Sequence, residues 1–263
     1  SDFPKEEKQR RIYISLSVTP LEYKTRKYNF IDTPGYSDFI GEINSALSVA
    51  NGAVLVIDAT KGIELGTEAA WQNIRERNIP AVIFINKMDK ENIKYDNLIS
   101  SLKDNFGNTI IPFTVPVMEK EEFKGLINLI DMNVENLDEI PESEKQKTEE
   151  LRHTIIEAVA ETNEELMEKY FEGEEFTEEE MNFGLKTAVM KGELIPVIQG
   201  SAFDNAGVET LLEILFTYIP SPADHKEYIG VNPDTNEEVT IKSEENEPFS
   251  AYIFKTIMDP FLG

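Results

Sequence analysis

The sequence has no cysteine among its 263 residues. Disulfides and thiolate metal sites are therefore excluded, and the composition fits a reducing, cytoplasmic setting. Positive charge is also scarce: 25 Lys and Arg stand against 50 Asp and Glu, a net charge of −25. Phosphate neutralisation drives non-specific nucleic-acid binding, and basic segments drive adhesion to anionic membranes, so neither is expected here. The same acidity can serve only to keep a protein in solution, and that reading stands beside the first. No apolar run approaches the ~20 residues of a membrane-spanning helix. The N-terminus is charged and polar, without a signal-peptide pattern. No internal repeat of about 20–50 residues is visible. The two histidines, His153 and His225, lie far from the motifs described next and read as surface residues.

What is present is enough for a packed core: 40% hydrophobic residues and fifteen Phe. The length allows one large domain or two small ones. Residues 28–89 organise the chain. Three short apolar runs, 28–31, 53–57 and 81–85, read as strands buried on both faces, as in a parallel sheet. The first ends in Asp32-Thr33-Pro34-Gly35, the second in Asp58 and the third in Asn86-Lys87-Met88-Asp89. Ligands of open α/β sheets bind at the carboxyl ends of such strands. A carboxylate at Asp89 can accept paired hydrogen bonds from an amidine-like edge, which guanine offers and adenine does not. Asn86 carries a donor and an acceptor, and Lys87 has an apolar stem able to cover a ring face. Gly35 lets a backbone N–H come close to a phosphate, and Asp32 could hold a water on Mg²⁺. Each motif alone also reads more simply, the first as a turn and the second as a helix cap. A third piece, Gly200-Ser201-Ala202, follows the apolar run 194–198, and its N–H groups could contact the guanine oxygen. Order and context together favour the nucleotide reading.

At these motifs the chain resembles the GTPase domain of elongation factor G, the ribosomal translocation factor, and more narrowly an elongation-factor-G-like paralogue. The resemblance runs from about Glu6 to the C-terminus. It includes Gly52-Ala53-Val54, Glu165-Leu166-Met167-Glu168-Lys169-Tyr170, Gly200-Ser201-Ala202-Phe203, Pro220-Ser221-Pro222 and Pro248-Phe249-Ser250-Ala251. It implies an α/β fold with a mostly parallel sheet and flanking helices, of the P-loop GTPase type. It also implies a small inserted α+β subdomain and the start of a β-barrel. The nucleotide-binding residues it implies are Asp32, Gly35, Asn86, Lys87, Asp89, Ser201 and Ala202, with GTP or GDP and Mg²⁺ as cofactors and Asp32 reaching the metal through a water. The partners it implies are the ribosome and, through the insert, the large-subunit stalk protein. A monomer is expected. Alternatives with the same core are a ribosomal protection or release factor, or a non-hydrolysing stalk-binding module.

Three departures bear on activity. No Gly-x-x-x-x-Gly-Lys-Ser/Thr occurs in the 263 residues, so the chain is expected to be a fragment lacking the phosphate loop and inactive by itself. Tyr13 stands where the family has the Mg²⁺-ligating Thr, within Arg10-Arg11-Ile12-Tyr13-Ile14. Tyr36 stands where the family has a His that positions the attacking water, so slow or absent hydrolysis is expected.

The expected domains are 1–108, the first part of the GTPase domain; 109–193, the acidic insert; 194–223, the last strand and helix; and 224–263, a linker and the first strand of a barrel. Segment 1–11 reads as loop, 12–21 as a strand antiparallel to 28–31, and 249–254 as a further strand. Thr67 is expected to cap a helix carrying Ala70, Trp71 and Ile74 inward. Residues 119–180 hold 22 Asp or Glu against 6 Lys or Arg, which reads either as a partner surface or as a solvated face. Capping boxes are expected at Ser143/Gln146, Thr162/Glu165 and Thr177/Glu180, and strands at 113–117 and 127–134. Segment 226–247, with the turn Asn232-Pro233-Asp234, reads as a linker or exposed hairpin.

Overall fold

In the computed structural model, which describes residues 13–257 except 121, 226 and 245, β1 (Ser17–Tyr23) and β2 (Arg26–Asp32) pair antiparallel. Lys24 makes the turn between them with φ 51°. The expectations for 1–11 and for Arg10, Arg11 and Ile12 lie outside the described residues. The first strand starts at Ser17, later than the alternation of Ile14 and Leu16 suggested, although Leu16 is buried just ahead of it. Segment 28–31 is not a strand buried on both faces. Tyr28 and Phe30 alternate with the exposed Lys27 and Asn29, so only one face is covered, and the two rings stack 6.0 Å apart. Helix α1 (Ile40–Leu47) follows, and Ala50 falls beyond its end. Glu42 on α1 accepts from the Leu16 N–H at 2.7 Å and from Lys255 Nζ at 2.8 Å. These segments share a unit made of residues up to Asn51 and from Pro220 onward.

The second unit is Gly52–Ile219. In order it holds β3 (Ala53–Asp58), α2 (Leu65–Glu76), β4 (Ala81–Asn86), α3 (Tyr95–Phe106), β5 (Ile110–Pro112), β6 (Thr114–Glu119), β7 (Glu122–Asn128), β8 (Val134–Glu135), α4 (Glu142–Ala160), α5 (Glu164–Glu172), α6 (Glu178–Lys191), β9 (Ile195–Gln199) and α7 (Val208–Tyr218). The parallel sheet runs β3-β4-β9-β5. Its central strands carry the uniform apolar runs: residues 81–85 and all of β9 are buried, whereas Val56 on the edge strand β3 is 57% exposed. Each buried aliphatic side chain contributes about 1.5–3 kcal/mol by leaving water. Helices flank this sheet, the α/β architecture expected. Trp71 on α2 stacks on Phe106 of α3 at 4.7 Å, a core role.

The insert begins one element later than expected, because Ile110–Pro112 pairs with β9 inside the core sheet. Its antiparallel sheet is β6-β7-β8. The single strand expected over 127–134 is two strands with a turn between them: Asn128 Oδ1 accepts from the Ile130 N–H and Asp131 Oδ1 from the Asn133 N–H, side-chain turns inside an apolar run. Where the two sheets meet, a buried network closes on itself. Thr114 Oγ1 donates to Gln199 Oε1 at 2.5 Å, and Gln199 Nε2 donates to the Tyr95 hydroxyl at 3.1 Å.

Caps were legible in part. Thr177 and Glu180 form the reciprocal box that opens α6, at 2.8 and 3.2 Å. Thr67 is not the N-cap of α2; that position is Glu64, three residues earlier, whose N–H donates to Thr67 Oγ1. Ser143 lies inside α4, which starts after Pro141. Thr162 Oγ1 donates back to the Val159 carbonyl, so it closes α4, and Asn163 caps α5 by accepting from the Leu166 N–H.

After α7, β10 (Glu227–Val231) and β11 (Glu238–Lys242) form an antiparallel hairpin that fits the start of a barrel. Asn232 Oδ1 accepts from the Asp234 N–H at its turn. Segment 249–254 forms no strand. It pairs with nothing among the described residues, and Phe249 is 95% exposed.

Candidate functional site

The chain turns as soon as β4 ends. Lys87 takes φ 69°, an uncommon conformation for a residue with a Cβ. Two bonds hold it there: Asn86 Oδ1 accepts from the Lys87 N–H at 2.8 Å, and the Met88 N–H donates to the Gly200 carbonyl at 3.0 Å. In return the Gly200 N–H donates to the Ile85 carbonyl at 2.9 Å. The loops after β4 and β9 are thus tied together beyond the strands themselves.

Glycine is required at 200. A Cβ there would lie 2.2 Å from the Ala206 carbonyl oxygen and 2.9 Å from the Phe84 ring. That close approach lets Ser201 and Ala206 exchange two backbone hydrogen bonds, both 3.0 Å. Ser201 is fully buried, and its hydroxyl faces Asp89 Oδ1 at 2.8 Å and Asp204 Oδ2 at 3.0 Å, one proton serving both. Lys90 Nζ stands 2.6 Å from Asp89 Oδ2. The Lys90 hydrogen bond, with that of Ser201, holds the Asp89 carboxyl below the usual range against a smaller opposing effect of burial. Asp89 is therefore an ionised acceptor at neutral pH.

Lys87 reaches Asp58 at the end of β3, with Nζ 2.6 Å from Oδ2. Asp58 Oδ1 also accepts from the Thr60 N–H and hydroxyl, at 3.0 and 2.6 Å. Burial alone would raise the Asp58 carboxyl, but these bonds outweigh it and hold it down to about 2. The carboxyl ends of three parallel strands thereby fix Asn86, Lys87 and Asp89 in one frame with Ser201 and Ala202.

The amides of 200–202 are not open to a ligand as expected. Gly200 and Ser201 donate to backbone carbonyls, and the Ala202 N–H donates to Asn86 Oδ1 at 2.9 Å. Of the three, only the Ala202 N–H is held by a side chain and not by a backbone carbonyl. Asp58, Lys90 and Asp204 belong to this frame and were not singled out from sequence. Asp58 was visible only as the residue closing an apolar run.

Asp32, Gly35 and Tyr36 lie in the other unit. Asp32 is exposed at the end of β2, and Pro34 is buried. A Cβ at Gly35 would meet nothing within 4 Å, so no protein atom requires glycine there. Tyr36 is 57% exposed and Tyr13 48%. His153 is exposed beside Tyr170 and Glu157, as a surface residue. Mg²⁺ needs near-octahedral oxygen donors. Among the described residues no group of three His, Cys, Asp or Glu could hold a metal, and Tyr13 offers no aliphatic hydroxyl.

The family model for the elongation factor Tu GTP binding domain matches residues 1–221. Among solved structures, a crystal structure of a protein from Thermus thermophilus superposes with a TM-score of 0.80 at 31% identity. The match covers 91% of this chain and 38% of that one, so the chain spans well under half the length of that relative. No helix among the described residues is long and apolar enough to cross a membrane.

Proposed function

Because the chain belongs to the family of the elongation factor Tu GTP binding domain, we propose that Asp89 reads guanine in a translational GTPase that acts on the ribosome in the manner of elongation factor G. The observation that carries this is the Asp89 carboxylate, held ionised between Ser201 and Lys90 at the ends of β4 and β9. Such a group can accept from both N1–H and the exocyclic amine of guanine, and adenine has no matching edge. Ala202 supplies an N–H that the guanine oxygen shares with Asn86 Oδ1. Lys87, anchored through Asp58, covers the ring. The ligand on this reading is GTP or GDP. The reaction of the family is attack of water on the γ-phosphate, a step governed by positioning and electrostatics. On this reading the protein is a cytoplasmic monomer.

Sequence observations favour a second reading for the chemistry. By resemblance, Tyr13 and Tyr36 stand where the family has a Mg²⁺-ligating Thr and a water-positioning His. On this reading the residues form a stalk-protein-binding module with a degenerate nucleotide site that hydrolyses GTP slowly or not at all. The acidic insert then carries the partner contact. Between α5 and α6 lies a cleft of about 480 Å³ lined by Glu165, Glu168, Glu172, Glu179 and Phe183. Phe183 is 60% exposed there. An acidic cleft suits a basic protein surface, and the partner proposed for it is the stalk protein.

The base assignment is tested by NMR titration of the 263-residue chain with guanosine and with adenosine. Shifts of the 86–90 and 200–204 amides with guanosine, much weaker with adenosine, are the expected result. Equal response to both nucleosides would contradict it. GTP turnover by the intact parent protein with ribosomes then separates the two readings of the chemistry.

A further inference from the structure

We infer that Glu135, supplied by the antiparallel sheet of the insert, is a positioning residue for the loop between β9 and α7, and through it for the base contact at Asp89. The inference rests on the base-site reading above. Glu135 lies 72 residues before Gly207 in sequence, yet its Oε1 accepts from the Gly207 N–H at 2.8 Å. Its Oε2 accepts from Thr210 Oγ1 at 3.0 Å.

Gly207 is the N-cap residue of α7 and has no side chain to satisfy the N–H groups at that helix start. A carboxylate at the positive end of a helix is favourable, and Glu135 supplies it from outside. The position of Gly207 is tightly defined. It has φ 73°, and a Cβ on it would lie 2.3 Å from the Gln199 carbonyl oxygen and 3.0 Å from Leu126 on β7. The strand carrying Glu135 is laid equally close: a Cβ on Gly125 of β7 would lie 2.2 Å from the Glu135 carbonyl oxygen.

The 201–206 loop is therefore fixed at both ends. β9 and the Gly200 contacts hold its start; Glu135 holds its far end at Gly207. Between them sit the Ser201–Ala206 bonds and the Ser201 hydroxyl that orients Asp89. Losing the Glu135 carboxylate leaves a part-buried N–H without its acceptor and frees the far end. Ser201 then no longer holds Asp89 in one orientation. The insert thereby acts on the nucleotide site through one side chain.

A glutamine is the conservative replacement. Its carbonyl still accepts from Gly207, and its amide can donate to the Thr210 hydroxyl, which can reverse its role. The test compares E135A and E135Q with the wild-type 263-residue chain in two readouts. In amide hydrogen exchange, the Ala206 and Gly207 N–H groups should exchange about tenfold faster in E135A. E135Q should stay near wild type, and residues of β3 and β4 should not change in either. In NMR titrations with guanosine and inosine, which lacks the exocyclic amine, the guanosine preference should fall in E135A and return in E135Q. Faster exchange spread evenly over residues 52–219, no change at 206–207, or E135Q as damaging as E135A would overturn the inference. If the wild-type chain itself shows no preference for guanosine over inosine, the base-site reading is at fault, and the exchange pattern alone decides the role of Glu135.

Discussion

Asp58→Asn should lower stability at neutral pH and leave it nearly unchanged in acid. Asp58 is held at about 2 in the folded chain, against an ordinary value of 3.8. A carboxylate whose folded pKa is depressed adds stability that is complete above the unfolded pKa and lost as pH falls through the folded one. The gap between 3.8 and about 2 corresponds to roughly 2.4 kcal/mol at 1.36 kcal/mol per unit. Lys87 is 50% exposed and Asp58 17%, so solvent screening reduces this to about 1–2 kcal/mol at pH 7. The same relation halves the contribution by about pH 3. The assay is urea unfolding followed by the fluorescence of Trp71, the only tryptophan, which is buried in the same unit. The wild-type and variant free energies should differ most at pH 7 and converge as pH falls to 3 and below. A difference that stays constant across that range, or is absent at pH 7, would show that the Asp58–Lys87 pair does not hold the frame as described. The variant should also bind guanosine less tightly, because Lys87 loses its anchor.

Other perturbations test separate parts. Gly200→Ala forces a Cβ into the Ala206 carbonyl 2.2 Å away. It should cost ~2–4 kcal/mol in urea unfolding by breaking the Ser201–Ala206 pair and overpacking against Phe84, and should abolish the guanosine response; a neutral outcome would refute the close approach. Thr177→Ala removes the cap of α6 and should cost about 1 kcal/mol while leaving guanosine affinity unchanged. A changed affinity would mean that the α6 cap bears on the base loop.

The sheet was readable where apolar runs were long and uniform. Residues 81–85 and 195–198 are buried on both faces because strands flank them on both edges and helices cover the sheet. Segment 28–31 is also short, but Asn29 inside it and Lys27 before it are exposed with period two, and it forms one side of a hairpin. A strand at 249–254 needed a partner that composition cannot guarantee. Cap residues were ambiguous for a local reason: Thr162 and Asn163 both carry suitable oxygens, and Thr162 bonded backward to Val159 instead of forward. For the site, Asn86, Asp89 and Ser201 were legible as motifs, and the structure brings them together across 112 residues of sequence. The Asp58–Lys87 pair spans 29 residues and the Glu135–Gly207 bond 72. Such pairings follow from sheet order, which no local pattern encodes. Nor could the sequence show that the amides of 200–202 are already taken by Ile85, Ala206 and Asn86.

Asp89→Asn tests the account most directly. Asparagine keeps the shape but replaces two ionised acceptor oxygens with one neutral acceptor and a donor, which matches the guanine edge poorly. In NMR titrations of the 263-residue chain, guanosine should lose about 10–100-fold in affinity relative to adenosine, the worth of hydrogen bonds to a charged group. Helix content should stay near wild type. The same guanosine-to-adenosine ratio in both proteins would mean that Asp89 does not read the base.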